Sequence, residues 1–348
     1  MLSFDRTGFI FLIKFVALFA CLVFLTKIGA DFMFSPSERS GNAISAGEAN
    51  ISSQNKNRMA MVAAVLNAPD PVIKLGFVGD IMLDRRVKKS IMENGGGDYR
   101  FPFWRAANIL QKYDILFGNL EGPISAGGED QGSAYSFRMD PQSAEAIKFA
   151  GFDIVSLANN HISDWGREAT ADTINYLDKA RIAYVGAGSN PYSPKIVNIS
   201  DTKLAFLAFT NVGAKRGDIA FISKNDDPIL ESEIKKAKTD ADIVIVYFHF
   251  GTEYQLEPGA DEVELAHKAI DFGADLVVGS HPHTIEKIEK YKEKYIAYSL
   301  GNFVFDQDFA PLTMQGMLLE ARLENKTIIG VTGKTVKINQ YFQAEIEE

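Results

Sequence analysis

Cysteine is almost absent from this chain of 348 residues, because Cys21 is the only one. With a single thiol no intrachain disulfide can form, and a zinc site built from several cysteines is excluded. Any metal site must therefore use histidine, aspartate, glutamate or asparagine side chains. Histidine is scarce too, with five in the whole sequence.

Long basic runs are also missing. The chain carries 45 acidic and 36 basic residues, which gives a net charge of -9. This balance argues against nucleic acid as the main partner, because phosphate binding requires clustered lysine and arginine. An anionic substrate would then need a metal ion to attract it. The chain shows no internal repeat, and 46% hydrophobic with 23% charged residues is the composition of an ordinary globular protein.

Charged residues are nearly absent from the segment 9–25, which contains only Lys14. This apolar run approaches the roughly 17–25 residues that a membrane-spanning helix needs. We interpret residues 1–30 as an amino-terminal membrane anchor with a short cytoplasmic start. A signal peptide cleaved after Ala30, a lipoprotein site at Cys21 and a buried soluble helix are the alternatives. Because Arg6 and Lys14 favour an amino terminus inside the cell, a single-pass protein of the cell membrane with an extracytoplasmic domain is expected.

Aromatic residues are absent from the segment 35–57, which is rich in serine, asparagine and glycine. Such a segment cannot bury enough apolar surface to offset its ordering entropy. Residues 31–70 are therefore predicted to be a flexible linker. The sequence Pro-Asp-Pro at 69–71 marks the start of a folded domain, predicted over residues 71–348.

The folded domain alternates strand-like and helix-like segments, which predicts an α/β fold with a largely parallel sheet. Short strands joined by turns at the carboxyl end predict additional antiparallel strands. The predicted strands are 72–78, 114–117, 153–157, 203–209, 243–248, 276–278, 295–298, 317–323, 327–331 and 335–338. The predicted helices include 141–150, 167–180 and 261–272.

Polar side chains collect just after the apolar runs. They are Asp80, Glu121, Asn160, His161, His249, His281 and His283. If the strands are neighbours, these side chains converge along one edge of the sheet. Two divalent cations about 3.5–4 Å apart could share them, clamp a phosphoryl group and lower the pKa of a bridging water. Imidazole, carboxylate and amide oxygen together suit Mn, Zn or Fe.

Six short motifs occur in a fixed order: 79–83, 118–124, 158–166, 249–254, 279–283 and 298–306. Together they resemble the motif set of the CapA/PgsA capsule-synthesis family, which belongs to the calcineurin-like metallophosphoesterase superfamily. The resemblance implies a four-layer α/β/β/α sandwich on a membrane anchor. It also implies a role in making or exporting poly-γ-glutamate or a related polymer, with other membrane-bound capsule-synthesis subunits as partners.

The resemblance also implies residue roles. Asp80 matches the first metal-binding aspartate, and His161 matches the histidine that would protonate the leaving oxygen. The remaining metal ligands would be Asn160, His249, His281 and His283.

Two positions depart from the superfamily pattern. Met82 stands where a metal-binding histidine is usual, so one metal site loses a ligand. Asn119 stands where an aspartate usually bridges the two metals, and we expect Glu121 to take over that bridge. Both changes argue against phosphatase activity, and the sequence does not decide between one bound metal and two.

Three further side chains are predicted to support the site: Asn119, Asp164 and Asn302. Asp164 could instead cap the helix that begins near residue 167, which we favour over a role in orienting His161. Asn302 fits a turn or the site equally well.

Simpler interpretations exist for the metal ligands themselves. The pair His281 and His283 could form a polar turn that bonds only to the backbone, and Asp80 could cap the segment 84–92. The fifth histidine, His267, lies on the polar face of its helix and receives no role.

Two functions from different classes remain. The chain could be a metal-dependent hydrolase of a phosphoester or polymer bond, with His161 as general acid. It could equally be a noncatalytic accessory that binds an anionic polymer at the membrane through its metal. Met82 and Asn119 favour the accessory, whereas the pair Asn160 and His161 favours the hydrolase.

Overall fold

Two β-sheets packed face to face form the centre of the structure. It is a computed structural model that describes residues 72–223 and 226–347. The predicted anchor and linker lie outside the described residues. Across the part that is described, no helix has both the length and the apolar character needed to cross a bilayer.

Fourteen strands are described. In chain order they are β1 (Ile73–Ile81), β2 (Ile115–Leu120), β3 (Ile154–Ser156), β4 (Ala183–Val185), β5 (Lys195–Ile199), β6 (Thr202–Thr210), β7 (Ile243–His249), β8 (Leu276–Ser280), β9 (Ile288–Tyr291), β10 (Lys294–Ala297), β11 (Asn302–Val304), β12 (Gln315–Glu324), β13 (Thr327–Ile338) and β14 (Ala344–Ile346).

Helices occupy the connections between the parallel strands. They are α1 (Arg85–Glu93), α2 (Ala107–Leu110), α3 (Ser143–Ala150), α4 (Gly166–Ala180), α5 (Asp227–Asp240) and α6 (Ala260–Phe272), with single helical turns at Phe101–Phe103 and Pro311–Met314.

The first sheet has the strand order β14-β13-β12-β1-β2-β3-β4. Strands β1 to β4 are parallel, and β12, β13 and β14 extend the sheet in antiparallel fashion. The antiparallel strands expected at the carboxyl end are thereby confirmed. The segments 327–331 and 335–338 were predicted as separate strands, which is wrong. They form the single strand β13, because its pairing with β12 runs through the intervening residues 332–334.

The second sheet has the order β5-β6-β7-β8-β10-β9. Strands β6, β7, β8 and β10 are parallel, and β5 and β9 are antiparallel edge strands. Every residue of β7 is buried. A parallel strand covered on both faces has no solvent side, which explains its unbroken apolar sequence.

The two sheets bury an apolar layer between them. Phe77 and Phe117 from the first sheet meet Phe206 and Tyr247 from the second. The rings of Phe117 and Phe206 stack with centroids 5.8 Å apart. Each fully buried side chain of this kind contributes about 1.5–3 kcal/mol, so this layer fixes how the two sheets face each other.

The outer faces of both sheets are covered by helices. Helices α1, α3 and α4 pack on the first sheet, where Ile147 and Leu177 belong to the same buried cluster as Val155. Helices α5 and α6 cover the second sheet, where Ile234 and Ile270 join its own cluster. The order of layers is therefore helix, sheet, sheet, helix, and the molecule is a mixed α/β sandwich.

The carboxyl ends of the central strands of both sheets meet at one end of this sandwich. We expected the polar residues to line one edge of one sheet, and this is wrong. They come from two facing sheets, because the chain leaves the first sheet after β4, builds the second from β5 to β10 and returns to the first with β11 to β14. The site therefore lies where the two sheets meet.

Candidate metal centre

Three buried side chains from both sheets lie together at this end. Asp80 is in β1, Glu121 follows β2 directly, and His249 is the last residue of β7. One ligand atom from each lies within 4.8 Å of the others, and all three side chains are inaccessible to solvent. We name these three residues the Asp80 group.

A second set of three lies beside it. Glu253, His281 and His283 also bring one ligand atom each within 4.8 Å of one another, and we name them the Glu253 group. The two groups are in contact, since His283 Nδ1 lies 3.5 Å from Asp80 Oδ2 and His283 Nε2 lies 3.9 Å from Glu121 Oε1.

The turn after β8 orients the two histidines of the Glu253 group. His281 and His283 both have positive φ, at 109° and 59°. Left-handed backbone at a residue other than glycine costs of order 1–3 kcal/mol and persists where the surroundings enforce it. Here it places both rings in the cluster, with the His281 ring 4.8 Å from that of His249.

The loop after β3 contributes Asn160 and His161. Asn160 Oδ1 lies 2.8 Å from His249 Nε2. His161 Nδ1 lies 2.7 Å from Asp164 Oδ2, and its Nε2 lies 3.8 Å from Glu121 Oε1. Because a carboxylate only accepts, Nδ1 carries the proton. Nε2 is therefore the ring atom that can exchange a proton with a molecule in the site.

Amide side chains hold these groups in place. Asn119 Nδ2 donates to Asp80 Oδ1 at 2.8 Å, and its Oδ1 accepts from Asn159 Nδ2 at 3.2 Å. Asn119 thus turns its nitrogen, which cannot bind a metal, towards the cluster. Asn302 Oδ1 lies 2.9 Å from His283 Nδ1 and helps to orient that ring.

Burial and mutual charge perturb the titration of the cluster. Burial alone would raise the pKa of Asp80, but His283 and the charge of His249 outweigh it and hold that pKa below its usual range. Burial and then the negative charge of Asp80 raise the pKa of Glu121 well above its usual value. Burial and the neighbouring His283 lower the pKa of His281 to about 3. The pKa of His249 is also lowered, first by burial and then by His281.

These residues fit a divalent cation. Both carboxylate oxygens of Glu121 and Nδ1 of His281 are buried and have no hydrogen-bond partner among residues 72–223 and 226–347. A buried carboxylate without a partner costs several kcal/mol, which a cation would offset. Carboxylates with neutral imidazoles and an amide oxygen form a donor set suited to Mn, Zn or Fe.

The structure brings every sequence-predicted site residue to this one place. The predicted ligands are Asp80, Glu121, Asn160, His249, His281 and His283, with His161 beside them and Asn119, Asp164 and Asn302 as their hydrogen-bond partners. Their roles as metal ligands or as proton donor stay predictions.

Asp164 and Asp80 are not helix caps. Helix α4 begins at Gly166 with no side-chain cap, and the carboxylate of Asp164 bonds instead to His161, Ser133 Oγ and the Phe137 amide. The favoured prediction that Asp164 caps this helix is therefore wrong. Asp80 likewise accepts from Asn119 and Ser280 rather than from the start of α1.

Glu253 is the site residue that sequence reasoning missed. It stands four positions after His249, inside the motif 249–254, so its place in the motif was a usable signal. A glutamate in a polar loop resembles ordinary surface, however, and only the fold brings it next to the turn at 281–283.

A family model matches most of this domain. The model described as "Bacterial capsule synthesis protein PGA_cap" covers residues 74–307. The chain belongs to this family. The resemblance drawn from the six motifs is thereby confirmed, and the PGA_cap region contains every residue of both ligand groups.

Curated relatives of this PGA_cap chain have names in keeping with the family. "Capsule biosynthesis protein CapA" of Bacillus anthracis is 35% identical over 266 residues, which cover 72% of this chain and 64% of the relative. "PGA biosynthesis protein CapA" of Bacillus subtilis (strain 168) is 34% identical over 252 residues, with 68% and 64% coverage. The matched part thus spans less than two thirds of these relatives.

Solved structures share the fold at low sequence identity. A hypothetical protein from Thermus thermophilus superposes with a TM-score of 0.50 at 15% identity and covers 76% of this chain and 99% of that one. A phosphatase from Mycoplasma pneumoniae gives 0.50 at 13% identity, with 77% and 94% coverage. The PGA_cap chain therefore shares its mixed α/β sandwich with these two proteins, one of which is a phosphatase.

Proposed function

We propose that this chain is a membrane-anchored, extracytoplasmic protein for the synthesis or export of a capsule polymer, poly-γ-glutamate or a related polyanion. The observation that carries the proposal is the convergence of buried carboxylates and imidazoles in the region that defines its family. The names of the Bacillus relatives support the choice of polymer. Other membrane-bound subunits of polymer synthesis would be its partners.

One or two divalent cations complete the proposed site. The Asp80 group, Asn160 and the histidines of the Glu253 group would hold them. A bound cation would supply positive charge for an anionic polymer or ester and would activate a water molecule. Without it the cluster is a poor anion site, because Asp80 and Glu121 are buried there.

The accessory role is favoured by two side chains. Met82 is fully buried, and its sulfur accepts the Asp84 amide at 3.1 Å, so it is not placed as a ligand. Asn119 presents a nitrogen donor to Asp80. Met82 and Asn119 thus replace two metal ligands of the superfamily pattern. A centre with fewer metal ligands than a two-metal hydrolase normally uses would bind and position a polyanion rather than cleave it.

Complementation tests the capsule role. In a poly-γ-glutamate-producing strain that lacks its own CapA relative, the wild-type chain should restore polymer on the cell surface. The variant Asp80→Asn should not, whereas Asp240→Asn on the exposed face of α5 should behave as wild type. Restoration by Asp80→Asn equal to wild type would refute a role for the metal centre in this function.

The anchor is tested separately. Membranes from cells that make the full chain should retain it after an alkaline carbonate wash, and protease added outside the cell should digest the domain. Mass spectrometry of the extracted protein should show residues 1–30 still attached. A mass that begins at Asp31 would instead indicate a cleaved signal peptide.

A second candidate is an active metal-dependent phosphoesterase outside capsule synthesis. It is favoured by the contact between His161 and Asp164, which leaves Nε2 facing Glu121. In this function His161 Nε2 would hold the proton that passes to the leaving oxygen, and Asp164 would stabilise the charged ring.

An aryl phosphate assay discriminates the two candidates. Metal-dependent turnover by the full chain that falls about 10²–10⁴-fold in His161→Ala would support the hydrolase. His267→Ala, on helix α6, is the matched control and should keep full turnover. Bound metal with no turnover on aryl phosphates or related esters would leave the accessory role.

A further inference from the structure

A half-buried glutamate beside His281 and His283 has no role in the function proposed so far. We infer that Glu253 is the anionic ligand of a second divalent cation, bound by the Glu253 group beside the cation of the Asp80 group. This inference rests on the proposed metal centre and specifies how its ligands are divided. It predicts two cations with three nearby protein donors each.

Charge balance favours an anionic ligand in the second group. His281 and His283 offer imidazole nitrogens, which bind metals in their neutral form. A dication held only by neutral ligands would bring two uncompensated charges into a buried site, which is costly. The carboxylates of Asp80 and Glu121 lie in the neighbouring group, and a Glu121 that bridges the two ions would share its single charge between them. Glu253 supplies a full negative charge to the second group.

An unpartnered nitrogen points to the same ligand independently. The His281 residue is 4% exposed, and its Nδ1 has no hydrogen-bond partner within the described part of the chain. A buried ring nitrogen left unpaired is destabilising, because folding removes its hydrogen bond to water and gives none in return. A cation between His281 and Glu253 would give that nitrogen a partner, and one ring nitrogen of His281 already lies within 4.8 Å of a Glu253 oxygen.

The loop that carries Glu253 is tied to the histidine turn. The Tyr254 amide donates to the Pro282 carbonyl at 2.8 Å, and the hydroxyl of Thr284 donates to the Gln255 carbonyl. The Tyr254 ring also stacks on His283 with centroids 6.1 Å apart. These contacts hold the backbone directly after position 253, so the loop that carries the glutamate is placed beside the histidine turn before any ion arrives.

Metal counting tests the inference. The full chain is stripped with a chelator and titrated with Mn²⁺, and bound Mn²⁺ per chain is measured by mass spectrometry after dialysis. Electron paramagnetic resonance is recorded in parallel, because two Mn²⁺ ions about 3.5–4 Å apart couple magnetically. The variants are Glu253→Gln, Glu253→Asp and the control Glu257→Gln, an exposed glutamate of the same loop.

Wild type and Glu257→Gln should bind two Mn²⁺ with a coupled spectrum. Glu253→Gln should keep one tightly bound ion, bind the second at least tenfold more weakly and lose the magnetic coupling. Glu253→Asp should recover part of the affinity for the second ion and part of the coupling. Circular dichroism checks that each variant is folded. Two ions of wild-type affinity in Glu253→Gln, or one ion in both proteins, would overturn this inference alone. A wild-type chain that binds no Mn²⁺ would overturn the proposed metal centre as well.

Discussion

His161 and Asp164 form the pair on which any hydrolytic activity depends. Asp164 accepts from His161 Nδ1 at 2.7 Å and also from the Phe137 amide at 2.9 Å. It is therefore a fixed part of the fold that sets both the tautomer and the direction of the ring. Phe137 packs on that ring with centroids 4.1 Å apart.

Asp164→Asn should separate orientation from metal binding. The amide can no longer stabilise a charged imidazole, so turnover on an aryl phosphate should fall about 10- to 100-fold. Mn²⁺ content should stay at the wild-type value, because Asp164 contacts no predicted ligand. Loss of metal in this variant would show that Asp164 supports the metal centre rather than His161.

Asn119 puts a neutral amide beside Asp80, where an aspartate would add a negative charge to the centre. Its Nδ2 donates to Asp80 Oδ1 and lies 3.3 Å from His249 Nδ1. In Asn119→Asp a third carboxylate would face Asp80 and Glu121. Without added metal the variant should melt below wild type, because like charges are then buried together. With Mn²⁺ it should bind about tenfold more tightly, which is ~1.4 kcal/mol.

Differential scanning fluorimetry with and without Mn²⁺ measures both effects. Asn325→Asp, in an exposed turn, is the matched control and should change neither melting temperature. Equal stabilisation of Asn119→Asp and wild type by Mn²⁺ would contradict the placement of this side chain beside the ion.

At the scale of elements, glycines allow strands to approach the turn that carries the histidines. Gly279 in β8 lies against Tyr298, the residue that follows β10, and a Cβ there would stand 2.1 Å from the Tyr298 carbonyl oxygen and 2.5 Å from the Phe250 ring. Backbone cannot move aside as a flexible side chain can. The sequence Gly-Ser-His-Pro-His thus needs its glycine for packing.

Gly279→Ala should lower the free energy of unfolding by about 2–4 kcal/mol. Gly330→Ala is the matched control in β13, where a Cβ would meet nothing within 4 Å, and it should stay within ~0.5 kcal/mol of wild type. Urea denaturation of both variants beside wild type measures this difference. Equal stability of the two variants would contradict the close approach at β8.

Sequence patterns predicted those elements whose signal is local. The run of apolar residues in β7 and the amphipathic repeat of α4 are complete within a few residues. The sequence did not predict that β13 is one continuous strand, because its continuity comes from pairing with β12 rather than from its own composition. Periodicity also did not assign the strands to two sheets, because that assignment depends on pairing between distant strands. It followed only from the family resemblance.

At the scale of the whole molecule, the fold also buries an acidic group that belongs to neither ligand group. Glu286 is 3% exposed, and both its carboxylate oxygens have no hydrogen-bond partner among residues 72–223 and 226–347. Burial, followed by the negative charges of Glu262 and Glu257, raises the pKa of Glu286 to about 8. Folding therefore favours the protonated carboxyl.

Stability should fall as the pH rises towards the raised pKa of Glu286. Between the ordinary pKa of 4.5 and about 8 the folded chain keeps this proton whereas the unfolded chain releases it. Glu286→Gln cannot release a proton, so its advantage over wild type should grow by at least ~1 kcal/mol between about pH 6 and about pH 9. Urea denaturation at both values measures it, and parallel pH curves for the two proteins would contradict the raised pKa.

The candidate site was predictable as a set of residues but not as an arrangement. Asp80 and His249 each follow a strand, and the motif order joined them to one family. Glu253 was missed, since its partners His281 and His283 lie about thirty positions away and only the packing of two loops unites them. Sequence spacing carries no information about such contacts.

An anomalous difference map from crystals of the full chain grown with Mn²⁺ tests the central claim most directly. We predict a peak within about 2.0–2.3 Å of ligand atoms from Asp80, Glu121 and His249, at the place where the two sheets meet. A well-ordered site without any peak, or a peak bound only to surface carboxylates, would contradict the metal centre.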